Sequence, residues 1–177
     1  MEFKLDGFEI SPIKEKDAWR LCDFMTVNSE RFKNDFPGTL KQNLNPTLST
    51  LFVQEKARQF STGEEFLFTI KEQEHRTIIG LIYIKELQKN EKQGELAYCI
   101  GYEQEGKGLT TRFLDQIIPW AFTHLRLHTL QIIAHKDNIG STRIAEKLGF
   151  SWQATLSNAH TRFNGSAVDM ELYEKYR

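Results

Sequence analysis

The 177 residues carry 23 basic and 24 acidic side chains, a net charge of −1, with 40% hydrophobic and 27% charged residues. That balance suits one globular domain (1–177) that buries its own core, and it excludes a disordered chain or a nucleic-acid binder driven by bulk charge. Cys22 and Cys99 make neither a disulfide framework nor a zinc pattern, no run reaches the ~18 apolar residues of a membrane span, and "MEFKLDGFEI" has no apolar leader core. A reducing, cytoplasmic setting without metal or membrane is expected.

"FEISPI" (8–13) alternates apolar and polar residues and predicts a strand. Asp17 precedes "AWRLCDFM", whose Ala18, Leu21, Cys22 and Met25 repeat at helical spacing. The polar stretch 34–47, with its prolines and glycine, reads as a loop, and 48–65 as a helix ending near Gly63. The runs 65–72 and 76–87, separated by "QEHR", predict a hairpin, and 94–102 a third strand. Leu109, Phe113, Ile117, Ala121 and Leu125 mark a helix face over 109–126, which Pro119 should kink or break. A strand at 128–135, a helix at 138–150 closed by Gly149, and two strands around "FNGSA" complete the chain. Trp19, Trp120 and Trp152 are expected in the core. The order predicts a mixed α/β domain with a strand–helix–strand crossover.

The stretch "GYEQEGKGLTTRF" (101–113) sets two glycines around a lysine, between a strand and a helix start. A plain turn would explain it. So would a phosphate site, because bare backbone N–H groups at a helix N-terminus bind anions. The Walker pattern fails, since Lys107 is followed by Gly108, and the dinucleotide pattern fails at Thr111. A third pattern, [QR]-x-x-G-x-[GA], has Glu105 at its start and matches only in its central glycine, Gly108.

"EGKGLTTRFL" taken with "AHKDNIGSTRIAEKLGF" (134–150) resembles the GNAT superfamily of acetyl-CoA-dependent N-acetyltransferases. Within it, the chain is most similar to the RimJ/RimL type, which acetylates protein N-termini, best known on ribosomal proteins. "ISPIKEKDAWRLCDFMTVNSERF", "IIGLIYI", "GELAYCIGY" and "FNGSAVDMELY" extend the likeness over most of the chain. The resemblance implies a single domain with a mixed central sheet, two strands splayed apart, and flanking helices. It implies acetyl-CoA as co-substrate, a primary amine as acceptor, and direct transfer without an acyl-enzyme. Relatives of this kind often form homodimers.

By the same resemblance, Cys99, Ile100 and Gly101 would pair with the pantetheine arm. Gly106, Lys107, Gly108, Leu109, Thr110 and Thr111 would hold the pyrophosphate, and Asn138 would contact the pantetheine. Glu95 is implied as the base that takes the amine proton through water, and Ser141 as the acid that protonates the departing thiol. Plainer roles stand beside these: an edge carboxylate for Glu95, and helix capping for Asn138 and Ser141. Period-2 geometry sets Glu95, Ala97 and Cys99 on one strand face. Glu105 departs from the family's Gln or Arg, and a carboxylate beside a pyrophosphate is tolerable only if it turns away. His124, His128 and His135 form no ligand set and read as loop or surface histidines, and nothing in the sequence requires His160 to line an acceptor cleft. The competing functions are acetylation of a small amine, such as a polyamine or antibiotic, and a CoA-binding sensor without turnover.

Overall fold

Asp6 and Gly7, with φ of 45° and 82°, turn the chain between β1 (Phe3–Leu5) and β2 (Phe8–Pro12), where Leu5 faces Phe8. A two-residue turn with positive φ at both positions matches the twist of antiparallel strands. The "LDGF" signal was available, yet β1 was not anticipated. The computed structural model describes residues 2–177. A short 3-10 turn at Glu15–Asp17 leads into α1 (Ala18–Val27), α2 (Ser29–Asp35), α3 (Pro37–Lys41) and α4 (Pro46–Thr62). The expected loop at 34–47 is thus largely helical. Pro37 and Pro46 stand at the first positions of helices, where the missing N–H is harmless, so they start elements rather than interrupt them. Asn45 caps α4, its Oδ1 accepting the Leu48 N–H at 3.0 Å.

Next come β3 (Phe66–Glu72), β4 (Ile78–Gln88), β5 (Gln93–Ile100), a 3-10 turn at Tyr102–Gln104, α5 (Leu109–His124), β6 (Thr129–Ala134), α6 (Ile139–Lys147), β7 (Ser151–Thr161) and β8 (Ala167–Tyr176). The sheet order is β1-β2-β3-β4-β5-β6-β8-β7. β5 and β6 pair in parallel through the α5 crossover, while β1–β2, β2–β3, β6–β8 and β7–β8 are antiparallel. The expected mixed α/β sheet is present.

The chain divides into two compact units. One comprises the residues up to Tyr83 with Tyr98–Lys107; the other comprises Ile84–Ala97 with Gly108–Arg177. In the first, Leu21 and Met25 of α1, Val53 of α4 and Phe68 of β3 are fully buried. It also buries an ion pair, Lys71 Nζ to Asp17 Oδ2 at 2.8 Å, with side-chain exposures of 0% and 2%. Asp17 accepts the Lys14 N–H as well, at 3.0 Å. In the second unit, Phe113, Leu114, Ile117 and Ala121 of α5 are buried with Leu96, Leu130 and Ala145.

α5 runs unbroken through Pro119. Both Pro119 and Asp115, whose carbonyl loses its donor, lie on the exposed side, and the break expected from the proline does not occur. The tryptophans also depart from expectation: Trp19 is 66% and Trp152 56% exposed. Trp19 falls outside the apolar stripe of α1, and Trp152 turns its indole N–H to Glu171. Trp120 is half-buried and stacks on His124, with centroids 5.7 Å apart.

Candidate active site

In the first unit the candidate site begins where β5 ends. Cys99, Ile100 and Gly101 are buried, and the Gly101 N–H donates to the Ile79 carbonyl at 2.8 Å. Burial pushes the Cys99 thiol up to about 12. The following turn folds back on itself, with Gln104 N–H donating to Gly101 O at 3.0 Å and Glu105 N–H to Tyr102 O at 3.2 Å. Buried Asn28, at the α1–α2 junction, accepts the Tyr102 N–H through Oδ1 at 3.1 Å. The Glu105 carboxylate turns to the guanidinium of Arg31 on α2, which holds it below the usual carboxylate range. Lys107 Nζ donates to Gln104 Oε1 at 3.0 Å.

Gly106 and Gly108 have φ of 72° and 70°, and a Cβ at either would meet nothing within 4 Å. Backbone conformation, not crowding, therefore requires glycine at both positions. Their backbone is left open to an approaching group.

In the second unit, Gly108 opens α5 without a side-chain cap. The N–H groups of the first helical turn, from Leu109, Thr110 and Thr111, have no intrahelical acceptor. Leu109 and Thr110 are buried, while Thr111 is half-buried. Glu95 on β5 receives Lys85 Nζ of β4 at 3.0 Å, with side-chain exposures of 15% and 33%. Asn138 caps α6, its Oδ1 accepting the Ser141 N–H at 3.1 Å. The cap takes the amide oxygen and leaves the amide N–H groups as what Asn138 can offer a ligand. Gly149 N–H to Glu146 O at 3.0 Å and Phe150 N–H to Ala145 O at 2.9 Å close the same helix.

The profile of the acetyltransferase (GNAT) domain matches residues 8–151. The chain belongs to this family. It is 32% identical over 140 residues, 78% of its own length and 74% of the relative's, to Bacillus subtilis YdaF, provisionally named a ribosomal N-acetyltransferase. It is 35% identical over 77 residues to the Escherichia coli spermidine N(1)-acetyltransferase, a match that spans 44% of this chain and only 41% of that protein. The ribosomal-protein-S5-alanine acetyltransferase of Vibrio fischeri has the same fold, with a TM-score of 0.93 at 19% identity over 99% of this chain and 96% of the other. So has RimL, a ribosomal L7/L12 α-N-protein acetyltransferase solved with coenzyme A, with a TM-score of 0.89 at 15% identity over 99% and 98%.

The donor set of this GNAT chain fits a CoA pyrophosphate. Two open glycine positions and one lysine lead directly into a helix start with unsatisfied N–H groups, and the adjacent carboxylate is neutralised by an arginine. Cys99, Ile100, Gly101, Gly106 and Lys107 stand on one short stretch of the first unit. Glu95, Leu109, Thr110, Thr111, Asn138 and Ser141 belong to the second. Burial alternates from Gln93 to Ala97 and gives way to buried Cys99 and Ile100 at the end of the strand. Sequence reasoning missed Asn28, Arg31 and Lys85. Only Lys85 left a local signal, as an opposite charge on the neighbouring strand of a hairpin.

Proposed function

We propose that this GNAT chain moves an acetyl group from acetyl-CoA directly to a primary amine, the N-terminal α-amine of a protein of the ribosomal kind. The carrying observation is the loop Gly106–Lys107–Gly108 running into the uncapped start of α5. The YdaF match, over 78% of the chain, supports an acceptor of the ribosomal kind. The chain 1–177 works as one domain in this reading. Its two cysteines are free and buried, in keeping with a reducing cytoplasm.

Acetyl-CoA supplies an activated thioester when bound. Gly106, Lys107, Gly108, Leu109, Thr110 and Thr111 would hold its pyrophosphate, while Cys99, Ile100, Gly101 and Asn138 would contact the pantetheine. A backbone N–H near Cys99 would offer the thioester carbonyl oxygen a fixed donor. An α-amine, with a pKa of ~7.7–8.0, is partly protonated at neutral pH, and Glu95 takes that proton through water. Lys85 keeps the Glu95 carboxylate in one orientation. Ser141, in the first turn of α6, offers its hydroxyl proton to the departing sulfur, and the helix N-terminus favours the negative charge there. Cys99 stays a neutral thiol at physiological pH and is no nucleophile, in agreement with direct transfer.

The test is mass spectrometry of products from acetyl-CoA with Ser-, Ala- and Met-starting peptides, the same peptides with blocked N-termini, spermidine and an aminoglycoside. Product is expected on free peptide N-termini alone, reduced at least tenfold by Glu95→Gln. The E. coli relative makes spermidine the second reading, and product on spermidine alone would replace the first. Binding of acetyl-CoA with no product on any amine would instead leave a sensor.

A further inference from the structure

The pyrophosphate loop carries an acid where a phosphate ligand expects none. Glu105 immediately precedes Gly106, and a carboxylate there repels a pyrophosphate unless another group cancels it. The cancelling group comes from 74 residues earlier in the sequence: Arg31, in the first turn of α2, gives Glu105 its guanidinium. Three residues before it, Asn28 is buried at the end of α1, donates to the Phe24 carbonyl at 2.8 Å and accepts the Tyr102 N–H at 3.1 Å. The α1–α2 junction thus grips the loop at two points, one through backbone and one through charge.

Between α1, the start of β4 and residues 101–104 lies a cavity of about 250 Å³, with Arg20, Phe24, Asn28, Ile79 and Tyr102 among its walls. Beside this cavity Asn28 and Arg31 tie residues 102 and 105 of the loop to the α1–α2 junction. We infer that Arg31 is a positioning residue for cofactor binding: it neutralises Glu105 and holds the acid aside, so that Lys107 is the uncompensated charge the loop offers to a pyrophosphate. This inference rests on the proposed use of acetyl-CoA, and it assigns α2 a part in cofactor affinity.

The pairing makes Arg31 and Glu105 interdependent, and a mutant cycle read by calorimetric titration of coenzyme A exposes this without any turnover. Arg31→Gln leaves Glu105 unpaired beside the loop and should raise the Kd for coenzyme A about tenfold, the effect shrinking in high salt. Glu105→Gln removes the acid and should bind coenzyme A as tightly as wild type or more tightly. The double variant should return to within about threefold of wild type. In turnover, Arg31→Gln should raise KM for acetyl-CoA and leave kcat within about twofold.

An unchanged Kd in Arg31→Gln would overturn the inference. A double variant as weak as Arg31→Gln would overturn it too, because Arg31 would then touch the phosphate itself. Wild-type protein that binds no coenzyme A would instead sink the proposed function, an outcome distinct from both. Equal thermal midpoints across the four proteins separate binding from folding.

Discussion

Two ion pairs of the same unit differ in almost every respect except their chemistry. Lys71 and Asp17 meet at 2.8 Å with 0% and 2% of their side chains exposed, whereas Arg31 and Glu105 are 35% and 57% exposed. The first lies between β3 and the turn before α1, where water cannot screen either charge. Burial, with a smaller push from the Arg76 charge, lowers the basicity of Lys71, while Asp17 and Glu9 work against that shift. The second sits at the surface beside the glycine loop, where water already solvates both partners. A buried pair is costly to break because one charge is left stranded, while an exposed pair contributes ~0–1 kcal/mol to stability. The stability of this unit therefore depends on Asp17 and Lys71. Arg31 and Glu105 matter to what the loop can bind.

The sharpest way to break that contrast is Asp17→Asn. It strands the Lys71 ammonium and should cost ~3–5 kcal/mol, read as a fall in midpoint denaturant concentration at unchanged slope. If the loss were under about 1 kcal/mol, the buried pair would be no more important than a surface one.

Gly108→Val probes the loop from the backbone side. A β-branched residue at φ 70° is strained by ~1–2 kcal/mol, and its side chain fills the open approach. Coenzyme A affinity should drop tenfold or more while the protein stays folded. Retained affinity would mean that the glycines serve only the turn.

Arg31→Gln should change unfolding free energy by less than about 1 kcal/mol, in contrast to Asp17→Asn. A large loss of stability would erase the distinction between the two pairs.

The smallest effect concerns pH. Arg31 lowers the pKa of Glu105 below its ordinary 4.5. The folded value lies beneath the unfolded one, so the pair's small contribution is complete above about 4.5 and fades as pH falls through the folded value. Carboxyl NMR titration should show Glu105 rising toward 4.5 in Arg31→Gln. No movement would show that Arg31 does not set its charge.

The contrast also explains what could be read in the sequence. Periodicity located β2, α1 and α5, while apolar runs bounded by polar turns located β3 and β4, whose residues are buried almost throughout or over most of their length. It failed at 34–47, where prolines look like breakers yet occupy the first positions of α3 and α4. It also failed at Trp19 and Trp152, since a large apolar residue need not be inside. Gly106 and Gly108 were legible as positions of open backbone, because tolerance of φ above zero belongs to the residue itself. The partner of Glu105 was not. Arg31 approaches only through the path of α1 and α2, and no local pattern links residues so far apart. Charge at the site was thus half visible: the acid could be seen, but not what neutralises it.

The most direct measurement is a coenzyme A titration followed on the backbone amides of the isotope-labelled protein. The predicted result is that the largest shifts fall on Gly106, Lys107, Gly108 and the first turn of α5. Saturable shifts confined to other segments, with these amides unmoved, would contradict the assignment of this loop to the cofactor.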